Sequence, residues 1–279
     1  MTSNKALFKQ MFLQKRRYAD LVLLVQVFAV AFMFLMGIIF RGNSNPINNI
    51  SSVFAGNDNI WDLILGLGVL TTFFADITFL GLMCWQNEKI NLSQTWQLIP
   101  ASSSKIWVFN IISSIVECAY IFVIQVVIGL IVLIIDSYSH HINPFSGTSF
   151  GANISFVESA WALIEELLAL VGLCLIIFVF VSLINFLTRT ITDQLPVKNT
   201  TGIRLVVMAI LVIVGVIIAM QINDQMMTIY YNHLAAHSET IDMDNIGLAA
   251  LEYWIGSILL GIINCLLIQK FVEPKIINR

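Results

Sequence analysis

Asp76 and Glu117 each interrupt a long apolar stretch, and a carboxyl group in such surroundings has three outlets. It takes up a proton, accepts hydrogen bonds from polar neighbours, or lines a wet path that favours cations. Counted along their helices at about 1.5 Å per residue, both carboxyls lie roughly 12–16 Å from the inner boundary of the bilayer. At that depth a carboxylate costs on the order of 2.5–3.5 kcal/mol, so neither is expected to face lipid. The sequence offers no Lys or Arg at the same depth; Gln26, Gln125, Asn185 and Asn264 are the polar candidates. A structural network and a transport path both remain open for Asp76, Glu117, Gln125 and Asn185. Other chemistry is poorly supplied. His233 and His237 have the i, i+4 spacing of a zinc pair but lack the Glu of HExxH, and His140-His141 also fall in a loop, so all four are expected to be solvated. Cys84, Cys118, Cys174 and Cys265 lie in or at the ends of apolar stretches without a CxxC pair, as small buried apolar residues do. No GxxxxGK[ST] loop is present, so the chain binds no ATP through one, and no metal or cofactor site is expected.

The elements that must position these groups are six apolar stretches at 21–40, 61–84, 106–135, 161–187, 203–222 and 248–271. Each approaches or exceeds the ~20 residues that a helix needs to cross ~30 Å of hydrocarbon. The chain is 58% hydrophobic and 11% charged, against about 25% charged residues in a soluble domain. An all-α polytopic membrane protein follows, built as one membrane domain over residues 1–279. Its longest connections, 41–60, 136–160 and 223–247, are too short for an independent core. Pro100 and Pro196 punctuate two of the shorter ones.

Basic residues fix the expected orientation. Lys5, Lys9, Lys15, Arg16 and Arg17 precede the first stretch; Lys89 and Lys105 follow the second; Arg189, Lys198 and Arg204 follow the fourth; Lys270, Lys275 and Arg279 follow the sixth. These are thirteen of the fourteen Lys and Arg residues, and Arg41 alone falls on the other side. The positive-inside rule then places both ends of the chain in the cytoplasm. Asp224, Glu239, Asp242 and Asp244 make the fifth, outer loop acidic. No nucleic-acid partner is expected, since the only basic cluster lies beside the membrane. The first stretch is too long for a cleaved signal sequence and has no small-residue cleavage site after it. Within residues 1–18, Leu7, Phe8, Met11 and Phe12 share one helical face while Lys5, Lys9 and Arg16 lie largely elsewhere. Such a segment is expected to be an interfacial helix against anionic membrane lipids.

The connection 85–105 reads WQNEKINLSQTWQLIPASSSK. Leu92, Trp96 and Ile99 recur at i, i+4 and i+7, so a short helix here would present an apolar stripe to the interface or to the groove of a soluble partner. The string resembles the loop after the second span in type-2 ABC-transporter permeases. There an acidic residue precedes a short helix, followed by Leu-(Leu/Ile)-Pro, a Ser, and a basic residue opening the third span. Glu88, Leu92, Gln94, Leu98, Ile99, Pro100, Ser102 and Lys105 occupy matching positions, while Ile90-Asn91 replaces the family's frequent Gly-Thr. The resemblance implies that Glu88, Leu92, Trp96, Leu98, Ile99 and Pro100 belong to a coupling helix that docks on a cytoplasmic ABC ATPase subunit. It also implies a second permease copy or a related permease as partner. ATP and Mg would be bound by the ATPase, and the location would be a bacterial inner membrane. Export is implied by the same likeness, with an amphipathic or peptide-like cargo suggested by the acidic exterior.

Two rival readings come from other classes. One is a non-transporting membrane interaction protein, such as an immunity or sensor subunit. The other is an intramembrane protease: Glu165-Glu166 resembles the opening of a CPBP-type motif. That motif continues with Arg and needs membrane-embedded His, and neither is present. The pair also lies near a helix N-terminus, where the dipole favours acids.

Overall fold

The helices mostly outrun the apolar stretches that announce them, because backbone hydrogen bonding continues past the hydrocarbon until a capping or breaking residue intervenes. The computed structural model describes residues 4–39, 60–99, 101–139, 156–194, 200–233 and 244–272. Its long helices are α1 (Asn4–Ile39), α2 (Ile60–Asn91), α3 (Ser103–Ser139), α4 (Phe156–Asp193), α5 (Thr200–His233) and α6 (Asp244–Leu267). All six are long and apolar enough to cross a membrane, and no strand occurs among the described residues. A π-helical turn, Ile268–Val272, ends α6. Pro100, Pro196, Lys198, Lys275, Arg279, Arg41, His140, His141, His237, Glu239 and Asp242, and much of the three longer loops, lie outside the described residues.

Residues 4–18 are helical, as their pattern requires, and they run without a break into the first span. Leu7, Met11, Lys15, Ala19 and Val22 form one buried stripe at intervals of three to four residues. Phe8 and Phe12 stack beside it with ring centroids 6.1 Å apart. At about 1.5 Å per residue α1 is roughly 54 Å long, well beyond the hydrocarbon thickness.

By its contacts the chain divides into two compact units: Lys5–Gln86 with Ile112–Ile154, and Met1–Asn4 with Asn87–Ile111 and Ser155–Arg279. In the first, α1 joins α3 and α2 through polar side chains set among apolar ones. The Tyr120 hydroxyl donates to Asp20 at 3.3 Å, and Tyr18 meets Trp85 edge to face at 6.3 Å. In the second, α4 packs along α6. A Cβ at Gly172 would stand 3.0 Å from Cβ of Tyr253, so glycine is what lets the two backbones approach. Trp254 Nε1 donates to the Leu168 carbonyl at 3.1 Å, and Asn264 Nδ2 to the Val179 carbonyl at 2.8 Å. Phe178 and Phe186 of α4 are buried in this unit, whereas Leu205, Ile213 and Met220 of α5 are open to the surroundings, as side chains meeting lipid would be.

Candidate functional site

The connection between α2 and α3 folds by local capping. After Asn91 the helix ends in a turn at Leu92, closed by Leu92 N–H to the Glu88 carbonyl at 3.0 Å and Ser93 N–H to that of Ile90 at 3.1 Å. Ser93 then opens a one-turn helix, Gln94–Gln97, and its carbonyl accepts from Trp96 N–H at 3.2 Å. Ser102 starts α3, its carbonyl accepting from Lys105 and Ile106. Leu92 therefore precedes the short helix and Ile99 follows it, so the expected stripe is broken over three local structures. The three side chains have different settings. Trp96 is half-buried in a recess with Ile90, Ile106, Trp107, Phe186 and Ile268, while Leu98 is 84% exposed. Leu92 is exposed and Ile99 partly so.

The same connection is tied into its own unit by hydrogen bonds. Ser182 Oγ on α4 donates to Glu88 Oε1 at 2.8 Å, and Asn91 Nδ2 approaches the same oxygen at 3.4 Å. Asn110 Nδ2 on α3 donates to the Asn87 carbonyl at 3.0 Å and to Asn91 Oδ1 at 3.1 Å, clamping the hairpin below the turn. Glu88 is thus an internal anchor. Ser182, Asn91, Asn110, Phe186 and Ile268 hold the connection, although its own sequence pattern points to none of them.

Asp76 finds the neighbours that its sequence setting called for. Gln125 Nε2 donates to Asp76 Oδ1 at 2.9 Å and to Gln26 Oε1 at 3.1 Å, and Gln26 Nε2 donates to Thr72 Oγ1 at 2.8 Å. The string crosses α1, α2 and α3 of one unit. Asn185 and Asn264 are not in it; both belong to the unit containing α4 and α6.

The fold brings cations of α1 near Glu117, although the sequence places none at its depth. Lys15, first grouped with the basic flank, is fully buried, and its Nζ donates to Ser113 Oγ at 2.8 Å and Ser114 Oγ at 2.7 Å. Glu117, also fully buried and one turn further along α3, lies within electrostatic reach of Arg16, Asp20 and Lys15 of α1. The reason is the continuity of α1. Lys15 belongs to a packed helical stripe, and its four-carbon stem carries the ammonium across to α3. Arg16 stacks over the Tyr120 ring at 4.9 Å on the outer side.

No cluster of three or more metal-ligating side chains occurs among the described residues, and the four cysteines form no disulfide. The fold defines a multi-pass helical membrane protein. The chain matches no family model, no curated protein and no solved structure.

Proposed function

We propose that this chain is the permease subunit of an ATP-driven transporter, coupled through residues 88–100 to a separate cytoplasmic ATPase that binds ATP and Mg. The observation that carries the reading is the divided role of the α2–α3 connection. Its outer side offers Leu98, almost fully open, to a partner. Its inner side is fixed to α4 through Glu88 and Ser182 and seats Trp96 among residues from α2, α3, α4 and the end of α6. A rigid handle joined in this way can pass a partner's movement to several spans as a hinge or rocking motion. A second permease completes the transporter, with both ends of each chain in the cytoplasm of a bacterial cell. Export of an amphipathic or peptide-like cargo follows from the family likeness and the acidic outer loop.

Leu98→Asp is the cleaner probe of docking, because Trp96→Asp would also disturb the recess that seats it. Tagged wild-type protein purified from its native cells should copurify a soluble ATPase carrying a GxxxxGK[ST] loop, and Leu98→Asp should release it while retaining the wild-type elution profile. Absence of an ATPase from the wild type, or full retention by Leu98→Asp, would overturn the assignment.

A further inference from the structure

Ser113, Ser114 and Glu117 share one face of α3, since Glu117 follows the two serines by four and three residues. All three are fully buried. Two hydroxyl oxygens lie 2.8 and 2.7 Å from a single nitrogen, Lys15 Nζ, and Glu117 supplies an opposite charge within electrostatic reach. Among the described residues no donor reaches either carboxylate oxygen of Glu117. In this way α3 presents acceptors and countercharge, while α1 brings the ammonium of Lys15 together with Arg16 and Asp20, which also lie within electrostatic reach of Glu117. The flanking members of the α1 stripe, Leu7, Met11, Ala19 and Val22, are apolar, so packing of that stripe does not itself call for an ammonium.

A buried ammonium is tolerated only where acceptors and an opposite charge replace its hydration. Hydroxyl oxygens at hydrogen-bond distance favour a group that can donate N–H, which excludes a quaternary cation. We propose that the Ser113–Ser114–Glu117 face of α3 is a binding site for a primary ammonium group, occupied in this structure by the side chain of Lys15. A free ligand of the site is then itself a primary amine and enters by displacing Lys15. The inference stands on the α1–α3 geometry and is independent of the coupling assignment.

Chemical rescue tests it. Lys15→Ala in the full-length protein removes the propylammonium portion of the side chain, and propylammonium chloride is the matched probe. Thermal unfolding in detergent micelles should show Lys15→Ala stabilised by propylammonium in a saturable way. At about one hundred times its dissociation constant, the folded-to-unfolded ratio should rise about 100-fold. Sodium chloride at equal ionic strength and tetramethylammonium should give no comparable shift, and neither should propylammonium with Lys15→Ala/Glu117→Gln; the wild type, whose own ammonium competes for the site, should respond only at much higher propylammonium concentration. No shift beyond sodium chloride, an equal shift with tetramethylammonium, or an undiminished shift in the double variant would each overturn the site. If Lys15→Ala is recovered from membranes only with propylammonium present, the site is supported; recovery in neither condition counts against it.

Discussion

Removing the Ser182 hydroxyl tests whether the α2–α3 connection is anchored to α4 as the geometry indicates. Ser182 is 1% exposed and donates to Glu88 Oε1 at 2.8 Å, an ordinary distance for a hydroxyl donor. A hydrogen bond of this kind contributes about 0.5–1.5 kcal/mol net, and burial of the serine places this one toward the upper end of that range. Ser182→Ala should therefore lower stability by about 1–1.5 kcal/mol. Unfolding by sodium dodecyl sulfate from mild micelles measures the loss, and a cycle with Glu88→Ala isolates the pair. The coupling energy should approach the single-variant loss for Ser182→Ala, so that removing the hydroxyl costs little once the carboxylate is gone. Additive effects, with coupling below about 0.5 kcal/mol, would mean that no anchoring bond exists.

Gln125→Leu removes both bonds that Gln125 Nε2 makes, to Asp76 and Gln26, and should cost about 1–3 kcal/mol in the same assay; loss below about 0.5 kcal/mol would deny the network. Gly172→Val should weaken α4–α6 packing by about 1–3 kcal/mol, seen as a lower melting temperature, because its Cβ would meet that of Tyr253, which the backbone holds. Trp254→Phe should cost about 0.5–1.5 kcal/mol through the lost bond to the Leu168 carbonyl, and an unchanged unfolding midpoint would refute that contribution. Leu98→Asp, on an open side chain, should change stability by no more than about 0.5 kcal/mol, a condition for using it as a docking probe.

Asp76 was readable in the sequence because a carboxyl in an apolar stretch has few partners to choose from, and Gln26 and Gln125 were among them. Six spanning helices were readable for a similar reason: length and hydropathy act locally. Lys15 was not, since a basic residue before a span usually belongs to a solvated flank, and only the continuity of α1 turns it inward. The anchor at Ser182 lies 94 residues from Glu88, beyond any local pattern, although a serine on the apolar α4 was itself a signal. The start of the short helix is set by turn chemistry that apolar spacing does not show. Ser93 caps a new turn and leaves Leu92 outside it, so the i, i+4, i+7 pattern overstated one continuous stripe.

Site-specific photocrosslinking from position 98 in intact cells tests the central claim most directly. A photoreactive residue replacing Leu98 should capture a soluble polypeptide carrying a GxxxxGK[ST] loop, identified by mass spectrometry, and an equivalent residue at the uncovered Ile213 should not. Capture of no such ATPase, or of proteins from the cell exterior, would contradict it.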